Sequence, residues 1–152
     1  MTVNHRNVLG ALLCMLLVSL AALPIATQAR ADDKDHPHGE HFAKCAKVCS
    51  DCQLHCDMCF KHCLTLLADG KKEHATTAQL CVDCAECCKL SATLTARMSP
   101  LSAEACECCA KCNDKCAEAC EKFPDDKHMA ECAKSCRDCA KSCREMIQHL
   151  KH

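Results

Sequence analysis

Cysteine recurs along this chain at intervals of three and four residues, in four separate stretches. In the first, Cys45, Cys49, Cys52, Cys56, Cys59 and Cys63 follow one another at steps of 4, 3, 4, 3 and 4. That rhythm is the a/d seam of a helix packed against other helices, whereas a strand would repeat every second residue. Between the cysteines lie Lys44, Lys47, Asp51, His55, Asp57, Lys61 and His62, which suit a solvated outer arc. Asp69-Gly70-Lys71 then supplies a helix stop. A chain that keeps this time four times over is constrained to be helical.

The remaining stretches follow the first. Residues 73–98 carry Cys81, Cys84 and Cys88 on one seam, which Leu94 and Met98 extend, with Cys87 beside it. Ser99-Pro100 marks a boundary, with the proline expected at the first helical position. Residues 101–122 carry Cys106, Cys108, Cys109, Cys112, Cys116 and Cys120. Cys109, Cys112 and Cys116 share a seam there; Cys106 and Cys120 fall on a shifted one, so this helix presents a broad sulfur face. Phe123-Pro124-Asp125 ends it, and an aspartate caps the helix of residues 126–150, which holds Cys132, Cys136, Cys139 and Cys143. Met129 and Met146 continue that last seam in both directions. The run Cys45-Ala-Lys-Val-Cys-Ser-Asp-Cys52 nearly repeats as Cys132-Ala-Lys-Ser-Cys-Arg-Asp-Cys139. Four long helices with short connections predict an all-α fold, an antiparallel up-down-up-down four-helix bundle with a Cys-lined core over residues 40–152.

Composition narrows the function. Cysteine makes up 21 of 152 residues, far beyond incidental use. With no Trp, no Tyr and three Phe, a conventional aromatic-lined enzyme pocket is disfavoured. A net charge of −1 and the lack of stacking aromatics likewise disfavour nucleic-acid binding. Residues 1–31 read as a signal peptide: Arg6 precedes an apolar run over residues 8–22, Pro24 breaks it, and Ala29-Arg30-Ala31 offers a cleavage pattern. The run is short for a membrane span. The expectation is an exported, periplasmic protein with no membrane attachment after cleavage, opening on a flexible acidic and His-bearing tail over residues 32–39.

Rows of sulfur on helices admit several chemistries. A disulfide scaffold is the default for a short secreted Cys-rich chain. Yet side chains one helical turn apart have Cβ atoms about 5–6 Å apart, against about 3.5–4.5 Å in a disulfide; only bridges between helices would fit. Zinc or an iron–sulfur cluster wants four convergent ligands, and here each Cys-x-x-Cys is embedded in a longer row. Thiolate and thioether ligands select Cu(I), which accepts two or three sulfurs and so can be shared along a column. A thiol oxidoreductase is a further reading, but no Cys-x-x-Cys opens a helix after a strand, and no thiol is singled out as a nucleophile. The rows favour the binding of multiple Cu(I) ions, and no enzyme activity.

The four rows, Cys-x₃-Cys-x₂-Cys-x₃-Cys in the first and last and Cys-x₂-Cys-x₃-Cys in the middle two, resemble the bacterial copper storage proteins, a Cys-rich four-helix-bundle copper-binding family. The resemblance spans residues 40–150. It implies a homotetramer whose core thiolates hold many Cu(I) ions for storage or detoxification, in exchange with a copper chaperone or cuproenzyme. It implies as ligands Cys45, Cys49, Cys52, Cys56, Cys59 and Cys63; Cys81, Cys84 and Cys88; Cys109, Cys112 and Cys116; and Cys132, Cys136, Cys139 and Cys143. Cys106 and Cys120 join them from the shifted seam. Cys87 and Cys108, on a flank or an inter-subunit face, are counted as further ligands. Some exported members carry a twin-arginine signal, whereas the start of this chain reads Asn4-His5-Arg6-Asn7. In an antiparallel bundle His41, Met98, Met146 and His149 gather at one end, where imidazole and thioether would form a mouth for copper.

Overall fold

The computed structural model describes residues 39–151. The segment read as a leader, and nearly all of the tail, lie outside the described residues. Four helices follow in order: α1 (Gly39–Ala68), α2 (Ala75–Ala96), α3 (Ser102–Cys120) and α4 (Lys127–His149), with a single 3₁₀ turn (Lys72–His74) leading into α2. α1 packs against α2 and α4, and α3 packs against α2 and α4. Contacts fix the directions. Early α1 meets late α4 through Cys49 and Cys143, while late α1 meets early α4 through Cys59 and Met129. The same reversal joins α2 to α3, through Cys88 with Cys109 and Cys81 with Cys116. The described chain is an antiparallel four-helix bundle, as the rhythm predicts.

Local chemistry sets the ends of the helices. After α1, Gly70 takes a φ of +84°, and the Lys71 and Gly70 amides donate to the carbonyls of Leu66 and Leu67. This is the Schellman closure, for which glycine is the favoured residue. The same pair of bonds closes α2, from Ser99 to Leu94 and from Met98 to Thr95, but there the left-handed residue is Met98, with φ +49°. A side chain in that conformation costs about 1 kcal/mol. Pro100 precedes α3 by two residues rather than starting it; Ser99 receives the Leu101 amide on its hydroxyl instead. Asp126 caps α4 by accepting the Met129 amide, the arrangement expected of an aspartate before a helix.

Sulfur fills the centre. Seventeen of the twenty described cysteines are buried. Alanines such as Ala85, Ala110, Ala117 and Ala140 line their flanks and let the helices approach closely. Larger groups close the two ends: Phe42 and Met146 at one, Leu66 and Met129 at the other. Protonated cysteine behaves as a small hydrophobe, so it can fill this core as an apolar side chain would. Outside, the charges between the cysteines pair one turn apart, Lys47 with Asp51 and Lys134 with Asp138, at equivalent places in the two copies of the repeat. Such exposed pairs add only tenths of a kcal/mol each, and they leave these aspartates on the solvated face.

Candidate metal centre

α1 and α4 place their cysteines as their spacing requires. The full inward row on α1 is Phe42, Cys45, Cys49, Cys52, Cys56, Cys59, Cys63 and Leu66; on α4 it is Met129, Cys132, Cys136, Cys139, Cys143 and Met146. α2 contributes Cys81, Cys84 and Cys88, continued by Ser91 and Thr95, which are fully buried. Leu94 and Met98 do not extend that seam. Met98 is 46% exposed and lines a recess with Phe42, Ala43, Ala46 and Ala96.

On α3 the inward row differs from the sequence reading. It is Cys106, Cys109, Asn113, Cys116 and Cys120, at steps of 3, 4, 3 and 4, with Asn113 standing where a cysteine would continue the series. Cys106 and Cys120 are therefore core residues. Cys112, assigned to the seam, is turned to the flank beside Cys87, and Cys108 is exposed.

Across the bundle the sulfurs touch. Cys45 lies 3.9 Å from Cys106, and Cys49 lies 3.6 and 3.7 Å from Cys143 and Cys139. Cys109 meets Cys88 at 3.7 Å and Cys139 at 3.9 Å. Further along, Cys136 contacts Cys52 at 3.9 Å and Cys56 at 3.7 Å, Cys116 contacts Cys81 at 3.7 Å, and Cys59 lies 4.0 Å from Cys120. Sets of three or four sulfurs lie within 4.8 Å of one another: Cys45, Cys106 and Cys143; Cys49, Cys109, Cys139 and Cys143; Cys52, Cys88 and Cys139; Cys56, Cys84, Cys116 and Cys136; and Cys59, Cys81, Cys120 and Cys132. Cys139 and Cys143 each belong to two sets, and the Cys52–Cys136 and Cys81–Cys116 contacts join the others. The result is one continuous ladder.

Asn113 sits on a rung of it. Its Nδ2 donates to the Cys109 carbonyl at 2.9 Å and faces the sulfurs of Cys109, Cys88 and Cys139 at 3.2, 3.3 and 3.5 Å; its Oδ1 accepts from Cys52 at 3.0 Å. Replacing it by alanine strips Cys52 of an acceptor and leaves a hole. Asn113→Ala is expected to lower the stability of the reduced, metal-free protein by about 2 kcal/mol. Urea unfolding monitored by circular dichroism measures this directly.

Proton affinities along the ladder are set by contact. Burial raises every core thiol, because a thiolate is poorly solvated there. Any thiolate that does form is stabilised by S–H donors around it and pushes its neighbours up. Cys49 and Cys52 are drawn below the ordinary thiol range, chiefly by Cys109 and Cys136 respectively. Cys136 and Cys139 are pushed well above it, chiefly by Cys116 and Cys109. Hydrogen bonds from Cys143 and Cys45 lower Cys106, with the Ser91 and Thr95 hydroxyls adding to them. Cys63 is lowered by Cys59 and Cys81, then by the nearby imidazoles of His74 and His62.

The two ends carry histidines. His41 and His149 stack with ring centres 4.1 Å apart, and a small recess there is walled by His41, Cys45 and Met146. All four expected mouth residues lie at this end, but Met98 lines the recess beside Phe42 rather than the one walled by His41 and Met146. At the other end His74 is 95% buried, lies against Phe123 at 4.1 Å, and has no hydrogen-bond partner for its Nδ1. The sequence signal for it was its place three residues before Thr77 and seven before Cys81, on the α2 seam.

A Cys-rich four-helix bundle with a continuous thiol core defines a soft-metal container. The sequence profile of the copper storage protein family matches residues 21–148, and the chain belongs to that family. An uncharacterised cysteine-rich protein of Bacillus subtilis (strain 168), YhjQ, is 34% identical over 98 residues, covering 63% of this chain and 86% of that protein. The Cu(I)-bound copper storage protein BsCsp3 has the same fold, with a TM-score of 0.64 and 31% identity over 70% of this chain and 98% of its own. A cytosolic copper storage protein from Streptomyces lividans, solved with five coppers, superposes with a TM-score of 0.66 at 23% identity, over 72% and 94% of the two chains.

These findings correct the expectation of an exported, periplasmic protein. The Streptomyces protein of the same fold is cytosolic, and the family match begins at residue 21, inside the segment read as a cleaved leader.

Proposed function

We propose that this chain stores Cu(I), many ions at a time, on the thiolates of its core. The observation that carries the reading is the linkage of the thiol sets. Sulfurs at 3.6–4.0 Å from neighbours on other helices can each serve two ions, and Cu(I) is satisfied by two or three such ligands. The ligands are the seventeen buried cysteines. His74, through its unpartnered Nδ1, serves the end near Cys63, and His41, Met146 and His149 serve the other. Each thiol that takes up Cu(I) releases its proton, so loading acidifies the medium. The ladder supports a container rather than a catalyst, since its thiols are many and alike. We read the assembly as a homo-oligomer, a tetramer by family resemblance, with the exposed Leu54, Met58, Leu90 and Leu101 as candidate contacts. A copper chaperone or cuproenzyme is the partner such a store requires.

Metal choice tests the reading. In equimolar competition under anaerobic conditions, the reduced protein is expected to retain Cu(I) and release Zn²⁺ almost completely. Retention of Zn²⁺ with tetrahedral thiolate spectra would instead identify the four-sulfur sets as zinc sites.

A further inference from the structure

Three thiols stand apart from the ladder. Cys87 on α2 and Cys108 and Cys112 on α3 lie where those two helices meet, Cys108 exposed and the other two half-buried. Cys87 Sγ is 2.9 Å from Cys112 Sγ and 3.9 Å from Cys108 Sγ. Cys108 and Cys112 are one helical turn apart on one face, so all three sulfurs converge. Every other described cysteine is buried.

We propose that Cys87, Cys108 and Cys112 form a separate, solvent-facing thiolate site for one Cu(I) ion, at which the metal exchanges with thiol ligands from outside. The proposal rests on the Cu(I) reading above. Three convergent soft ligands match the low coordination number of this ion. Their position supplies what the ladder lacks. Core sulfurs such as Cys49, Cys52 and Cys56 have no exposed surface, so an incoming ligand cannot reach metal held there while the bundle stays closed. At the outer site a thiol from solution can lose its proton to water and bond to the ion. One of the three cysteine thiolates then leaves and takes up a proton. The oxidation state of copper does not change, and no electron donor or acceptor is needed.

The test compares the full chain with the C87S/C108S/C112S variant, whose substitutions fall outside the core. Both are reduced, saturated anaerobically with Cu(I), counted by native mass spectrometry, and mixed rapidly with excess bathocuproine disulfonate. The variant is expected to match the parent in helical circular dichroism, to hold one ion fewer, and to lack the fastest phase of release. Equal ion counts with identical release would overturn the proposal. So would a Cys87–Cys112 disulfide persisting in the reduced, copper-saturated parent. A parent that binds a single ion, lost in the variant, would overturn the storage reading and leave this site standing; a parent that binds none overturns both.

Discussion

Titrated anaerobically with Cu(I), the reduced chain is expected to take up on the order of ten to twenty ions before a competing chromophoric chelator retains any. The number follows from seventeen buried thiols arranged so that sulfurs are shared between neighbouring ions. Filling should change helicity little, because good helix formers and protonated cysteines, which behave as small hydrophobes, suffice to build the bundle. Thermal stability should change greatly. A ligand present at about 1,000 times its dissociation constant adds about 4 kcal/mol per site, so even four filled sites would exceed the roughly 5–15 kcal/mol of an ordinary domain. The loaded protein is expected to stay folded beyond about 90 °C, read by circular dichroism at 222 nm. Saturation at one or two ions would reduce the store to a carrier. A metal-free chain that is a random coil would reject the preformed container.

Alkali should have the opposite effect on the empty protein. Cys81, Cys136, Cys139 and Cys143 have proton affinities raised by neighbouring thiols and by burial. In the unfolded chain they ionise near pH 8.5. The stability contributed by such groups is fully present below that pH, and it falls as pH rises toward their folded values, because only the unfolded chain is losing protons there. Cys49, Cys52 and Cys116, whose affinities are lowered, act in the reverse sense. Their contribution is complete above the free thiol range and does not offset further loss. Each blocked thiol then costs about 1.4 kcal/mol per pH unit, so four cost about 5.6 kcal/mol per pH unit. The reduced, metal-free bundle is expected to unfold cooperatively between about pH 9 and 11. Copper-loaded protein, with its thiolates already formed and neutralised, should pass through that range unchanged. A metal-free protein equally stable at pH 7 and pH 10.5 would mean that the core thiols ionise as easily folded as unfolded.

The helices were readable in the sequence to within two residues at either end. α1 and α4 were legible in full, since each offers one unbroken alternation of threes and fours. α3 was not, because Cys109 can be continued by Cys112 three residues on or by Asn113 four residues on. Residue type favoured the cysteine, and asparagine is seldom buried. Packing decided otherwise: only the row through Asn113 aligns with both Cys106 and Cys120, and it brings all four flanking cysteines inward together. Ser91 and Thr95 were passed over for the same reason, with Leu94 preferred on hydrophobicity. Met98 was placed on a seam that had already ended, since the helix closes on it. Spacing places His74 on the α2 seam, but its packing against Phe123, from the loop before α4, is a contact that no spacing within one segment encodes.

The burial of Asn113 bears on how so uniform a core finds a single alignment. Along a row of identical side chains, a helix displaced by seven residues meets the same chemistry it left, and sulfur against sulfur distinguishes poorly between the two. One amide ends the ambiguity. Its carbonyl oxygen and amino group reach Cys52, Cys88, Cys109 and Cys139 together in the observed alignment; displaced by a heptad, it would be buried with part of that set missing, at a cost of about 1–3 kcal/mol. A lone polar residue fixes the pairing of coiled coils in this way. Here it gives an interior built for interchangeable guests a unique internal address, so that the vessel itself is not interchangeable with its own shifted copies.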